Sequence, residues 1–159
     1  MIIEERQIDN FYLLHCSNLR EDKEVLSELS KYAITKGLVT ENHTSAIIER
    51  EIKYPTGLNA QIGIAIPHAE LQNTIQESVV IALLEQPVKF KTMGGGEDTN
   101  VEIVFMLMVK NPENHMKVLE HIVKLIQDKS FIDKLNNEDK YDTLVSEFMA
   151  FFKQDRFKL

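Results

Sequence analysis

Cysteine is nearly absent from this chain of 159 residues. Cys16 stands alone, so no intrachain disulfide can form and stability must come from burial. It closes the apolar run Phe11–Cys16 and reads as a small buried hydrophobe. Long hydrophobic runs are missing too. The longest, Val101–Val109, is broken by Glu102 and falls well short of the ~20 residues that span a bilayer, so direct membrane insertion is not expected. The first residues, Met1-Ile2-Ile3-Glu4-Glu5-Arg6, put acids where a signal peptide carries its basic region, and a cytoplasmic location is expected. Positive charge is scarce: 18 Lys and Arg against 25 Asp and Glu leave a net charge of −7. The lysines are interleaved with acids and form no basic patch, which argues against nucleic acid as a partner. The tail Lys153, Arg156 and Lys158 reads as a solvated helix end. An acidic surface suits solubility and a basic protein partner. Repeats, low-complexity tracts and long linkers are also lacking, so residues 1–159 are expected to form one domain.

What is there alternates between helical and strand patterns. Phe11–Cys16 reads as a strand. A helix is expected near Asp22–Lys36, with Val25, Leu26, Leu29, Tyr32 and Ala33 on one face and Gly37 as its stop. A second runs from Asn42 to Lys53, with Ala46 and Ile47 inward, and ends before Pro55. Ile62–Ile66, Ser78–Leu84 and Val101–Val109 read as strands, the last nearly continuously apolar, as a strand covered on both faces would be. Gly94–Gly96 mark a flexible loop or hairpin turn within Lys91–Asn100. No Gly-Lys-Ser/Thr follows them, which excludes a nucleotide phosphate loop. Asn111-Pro112-Glu113 is a helix start. That helix is expected to reach Gln127, with Val118, Leu119, Ile122, Leu125 and Ile126 inward. A last helix is expected near Asp139–Gln154, burying Leu144, Val145, Phe148 and Phe151 or Phe152. The pattern favours a single α/β domain, a mixed β-sheet flanked by helices on both faces.

Three residues stand out for chemistry. His68 follows the apolar run Ile64-Ala65-Ile66 and Pro67, so it sits just past a strand end, where open α/β sheets carry their sites. Arg50 lies three residues after Ile47 and borders the buried face of its helix; guanidinium is well shaped to hold phosphate oxygens. His115 falls in the first turn of the Pro112 helix, on the face with Val118, Leu119 and Ile122. His15, His43 and His121 read as structural or exposed. Thr56-Gly57 reads as a turn. Two histidines and an arginine fit two chemistries. Metal binding lacks a third ligand and any ligand spacing. Phosphoryl transfer needs a neutral imidazole nucleophile, a cation for the moving oxygens and a further donor, and His68, Arg50 and His115 could fill those roles.

Arg50-Glu51, Pro55-Thr56-Gly57, Ile64-Ala65-Ile66-Pro67-His68 and Asn111-Pro112-Glu113-Asn114-His115, in that order, resemble the enzyme IIA domain of the mannitol/fructose class of the bacterial phosphoenolpyruvate-dependent sugar phosphotransferase system. The resemblance covers residues 34–127 and, more loosely, the whole chain. It implies one α/β domain in which His68 accepts a phosphoryl group from the phosphocarrier HPr, through Nε2, and passes it to a cysteine of a sugar-specific IIB component. Arg50 matches the family's arginine and His115 its second active-site histidine. No cofactor or metal is implied. Tyr54-Pro55-Thr56-Gly57-Leu58 and the long stretch from Leu58 to Gly63 look most like galactitol-type IIA proteins. A regulatory role, like that of nitrogen-type IIA proteins, fits the same residues. Ile62, Ile64 and Leu71 are candidates for docking partners.

Overall fold

The computed structural model describes residues 1–153, and the surroundings of side chains through residue 150. Its centre is a six-stranded sheet: β1 (Ile2–Ile8), β2 (Phe11–Cys16), β3 (Gly57–Asn59), β4 (Gly63–Ala65), β5 (Ser78–Phe90) and β6 (Thr99–Met108). Their order across the sheet is β1-β2-β5-β6-β4-β3. The β2–β5 and β4–β6 pairs are parallel and the other three antiparallel, so the sheet is mixed. Helices α1 (Asp22–Thr35) and α2 (His43–Lys53) cover one face. Helices α3 (Pro112–Gln127), α4 (Lys129–Asn137) and α5 (Lys140–Lys153) belong to the other.

The period of two along each strand explains this division. Val79, Ile81 and Leu83 point toward the packing of α3, α4 and α5, with Phe105, Leu107, Val118, Ile122, Phe131 and Phe148. Val80, Ala82 and Leu84 point the other way, against Val25, Leu26, Leu29 and Ile47 of α1 and α2. The single α/β domain with helices on both faces is therefore the observed architecture. Cys16 is buried in the second of these layers, and burial pushes its thiol up to about 12, which leaves it inert.

The structure departs from the sequence expectations in several places. Strand β1 was not foreseen: it is an edge strand with almost every side chain in solvent, so it shows no apolar alternation. Helix α4 was not foreseen either. Asp128 ends α3 and caps α4 by accepting the Phe131 amide at 3.2 Å, and a nine-residue helix results where the apolar spacing is brief. Strand β5 does not stop at Leu84. It continues past Glu85-Gln86-Pro87 through a register shift between Leu83 and Val88, which is where a sheet tolerates proline. Ala46 is only half-buried, whereas Ile47 is fully buried. Ile62 and Ile64 are core residues, and of the three docking candidates Leu71 alone is exposed, at 46%. The burial expected of Phe151 or Phe152, and the tail around Arg156 and Lys158, lie outside the described residues.

The stretch from Leu58 to Gly63 is a hairpin, β3 against β4, at the edge of the sheet. Glycine is required at both ends of it. A Cβ on Gly63 would stand 1.9 Å from the Asn100 carbonyl oxygen, and one on Gly57 would stand 2.6 Å from that of Lys91. The hairpin therefore lies tight against the β5–β6 pair. No helix among the described residues is long and apolar enough to cross a membrane.

Candidate active site

Strand β4 ends at Ala65, and the next three residues, Ile66-Pro67-His68, leave the sheet beside the end of β6. The Leu107 amide donates to the Pro67 carbonyl at 3.0 Å, and a parallel bridge sets His68 against Leu107. Pro67 has no amide hydrogen to spare and a fixed φ, so the chain can leave the ladder here without an unpaired donor. His68 is thus held at a strand end, half-buried. Its Nδ1 lies 3.2 Å from the Ile66 carbonyl oxygen. A carbonyl can only accept, so Nδ1 carries the proton and Nε2 keeps its lone pair.

His115 arrives from the other side. Asn111 accepts the Glu113 amide at 2.8 Å, and Pro112 takes the first helical position, so α3 starts directly after β6. Glu77 secures that turn. It accepts the amides of Lys110 and Asn111 at 2.9 and 3.2 Å and the Asn114 side chain at 3.1 Å. One turn into the helix, the His115 ring meets that of His68 edge to face, centroids 5.1 Å apart and planes at 76°.

Arg50 comes from the last turn of α2. Its Nη1 pairs with Glu70 at 3.1 Å and its guanidinium lies over the Tyr54 ring, 5.2 Å from the centroid. Its Nε is buried with no hydrogen-bond partner. A buried guanidinium nitrogen with an open donor is a place for an anion. Burial holds the His68 imidazole below its ordinary pKa, and the charges of Arg50 and His115 push the same way, against a raising hydrogen bond from the Ile66 backbone and the charge of Glu70. His115 is lowered by burial and by Arg50. Both rings are therefore neutral near pH 7. The three residues singled out in the sequence come together, from the segment after β4, from α2 and from α3.

The sequence reading missed a fourth component. The Glu51 carboxylate is buried and accepts both the amide and the hydroxyl of Thr56. Thr56 in turn accepts the Ile66 amide at 3.1 Å. A signal was available: Glu51 lies four residues after Ile47, on the buried stripe of α2. Of the other histidines, His43 is sealed between α1 and α2, with Nδ1 at 2.7 Å from Ser30 Oγ, and burial lowers it to about 4. His15 pairs with Glu4 and stacks on Tyr141. His121 packs edge to face with Phe148. Among the described residues, no three His, Cys, Asp or Glu side chains are grouped to hold a metal ion.

A half-buried imidazole with Nδ1 on a backbone carbonyl, a second imidazole edge to face with it and the Arg50 charge acting on both are gathered at one strand end of an α/β scaffold. The family model described as phosphoenolpyruvate-dependent sugar phosphotransferase system, EIIA 2, matches residues 9–151, and the chain belongs to that family. It is similar to the galactitol-specific EIIA component of Escherichia coli (strain K12), with 29% identity over 113 residues, 70% of this chain and 75% of the relative. It is also similar to a nitrogen regulatory protein of Bradyrhizobium diazoefficiens, with 29% identity over 128 residues, 77% of this chain and 79% of that protein. Among solved structures, the mannitol IIA of Escherichia coli shares the fold at a TM-score of 0.67 and 23% identity, over 86% of this chain and 94% of that one. A complex of mannitol IIA with phosphorylated mannitol IIB from the same organism matches at 0.67 and 22%, over 86% and 92%.

Proposed function

We propose that this phosphotransferase-system IIA domain carries its phosphoryl group on His68 Nε2, taking it from HPr and passing it to a cysteine of a IIB component. The observation that carries the reading is the neutral His68–His115 pair, Nδ1 of His68 committed to a backbone carbonyl, with the Arg50 charge alongside. In uptake, the Nε2 lone pair forms a bond to phosphorus while the bond from phosphorus to the donor nitrogen breaks, its electron pair returning to that nitrogen. Onward transfer breaks the new bond as the IIB thiolate attacks. Little covalent chemistry is asked of the protein, so positioning and charge supply the catalysis. Arg50 meets the equatorial oxygens and His115 donates a hydrogen bond to them. Such a carrier works in the cytoplasm, between two proteins.

The similarity to a galactitol-specific EIIA component supports a IIB partner for galactitol or a related sugar. The mannitol IIA seen with phosphorylated IIB supports that kind of partner. The regulatory reading, in which phosphorylation state selects a binding partner, draws on the similarity to a nitrogen regulatory protein. Both readings need the same phosphohistidine.

Incubation with phosphoenolpyruvate, enzyme I and HPr is expected to place acid-labile phosphate on the wild-type chain and none on His68→Ala. Label that persists in His68→Ala would remove His68 from the reaction. Phosphate passed to a purified IIB favours the transport reading over the regulatory one.

A further inference from the structure

Glu51 follows Arg50 on α2 and is only 6% exposed. It belongs to none of the ion pairs among the described residues. An uncompensated buried carboxylate is costly, and here desolvation raises its pKa above the ordinary carboxylate value, with the Thr56 bonds offsetting part of the rise. Those bonds are the amide of Thr56 at 2.9 Å and its hydroxyl at 3.0 and 2.9 Å from the two carboxylate oxygens.

The direction of each bond follows from what its groups can do. An ionised carboxylate only accepts, so the single Thr56 hydroxyl proton is committed to Glu51. Thr56 Oγ1 then has lone pairs to offer, and it receives the Ile66 amide, which can only donate. The carbonyl of the same residue can only accept, and it receives His68 Nδ1. Ile66 is thus gripped at both its polar groups, by Thr56 on one side and by the imidazole on the other. The grip reaches back to the helical turn that carries Arg50.

We infer that Glu51 and Thr56 are positioning residues for phosphoryl transfer: they fix the Ile66 backbone that sets the His68 tautomer and ring direction, and tie it to the turn that presents Arg50. The inference rests on His68 being the nucleophile. Neither side chain touches the phosphoryl group. They act by keeping two groups from different elements, the Nε2 lone pair and the guanidinium, in one relative geometry. A misplacement on the order of 1 Å at such a site costs about 10²-fold in rate.

The test uses the full chain and two readouts. Long-range proton–nitrogen NMR of the labelled imidazole reads the His68 tautomer without any transfer reaction. Phosphoryl uptake from HPr, phosphorylated with phosphoenolpyruvate and enzyme I, gives kcat and KM. In Thr56→Val we expect a mixed His68 tautomer and a kcat lowered about 10- to 100-fold, with KM for the donor within about two-fold. Thr56→Ser, which keeps the hydroxyl, is expected to restore both. Glu51→Gln keeps volume and one acceptor, so its kcat is expected to fall about three- to ten-fold, and it decides the matter if Thr56→Val does not fold. Unchanged kcat and tautomer in the folded variant, or a Thr56→Ser no better than Thr56→Val, overturns the assignment. If His68→Ala still takes up phosphate, the nucleophile itself is wrong; if it does not, failure in the Thr56 and Glu51 variants falls on the positioning role alone.

Discussion

The two arms that converge on His68 are anchored in different media. The α2 arm, which brings Arg50, is tied to the strand end by Glu51 and Thr56, both buried. The α3 arm, which brings His115, is tied by Glu77 and Asn111, whose bonds lie at the surface except for the part-buried one from the Asn114 side chain. Hydrogen bonds in the low-dielectric interior are strong and costly to break, while surface bonds exchange readily with water. The arm that carries the permanent charge is thus the stiff one. The arm that carries a neutral ring has its first turn tied by bonds nearer to water. A transferred phosphoryl group is best met by a fixed cation and an adjustable donor, since the charge gain of a cation is lost if it must reorganise.

Removing the cation should have the largest effect. Arg50→Ala is expected to lower the rate of uptake from phosphorylated HPr about 10²- to 10³-fold, the range for losing one preorganised partner of a developing charge. It should also change the pH profile. The protonated imidazole has no lone pair to attack with, and the Arg50 charge opposes protonation of both His68 and His115. With that charge gone the His68 pKa rises, so activity is lost at a higher pH on the acid side than in the wild type. Quenched-flow measurement of transfer between about pH 5 and 8 brackets the ordinary imidazole range and reads both effects. An acid limb that stays where it was would deny Arg50 its electrostatic role.

His115→Ala tests the adjustable arm, and the cost should be smaller, on the order of ten-fold or less, because a neutral donor contributes about 0.5–1.5 kcal/mol. His115 also sits among the groups that lower His68, so its removal should move the acid limb in the same direction as Arg50→Ala. A His115→Ala variant slower than Arg50→Ala would reverse the ranking of the two arms.

His68, Arg50 and His115 were legible in the sequence because each stands next to punctuation. Pro67 marks the strand end, Pro55 the end of α2 and Pro112 the start of α3. The anchors were not legible for the same reason. Thr56, between Pro55 and Gly57, reads as a turn, and Glu51, in Glu49-Arg50-Glu51, reads as one more solvated acid. Acidic residues are so seldom fully buried that composition argues against what the helical spacing from Ile47 says. The sheet was legible where it is covered on both faces and illegible at the β1 edge and along the partly exposed far end of β5. Strand β1 lies in solvent, and β5 crosses a proline at its register shift, so neither carries a clean apolar period.

The smallest expected effect concerns an exposed contact of the α2 arm. Glu70, whose side chain is 63% exposed, pairs with Arg50 Nη1 at 3.1 Å, two residues after His68. An exposed pair of this kind holds its partner weakly, so Glu70→Gln should change the uptake rate by no more than about five-fold. Its value lies in the sign. The Glu70 charge raises the His68 pKa, opposite to Arg50. Neutralising it should therefore carry the acid limb to lower pH, away from the direction of Arg50→Ala. The double variant should follow Arg50→Ala in rate, because the guanidinium that Glu70 holds is then absent. A Glu70→Gln limb that moves upward, or a double variant slower than Arg50→Ala by the full single effect, would mean that Glu70 acts on the phosphoryl group by a route other than Arg50.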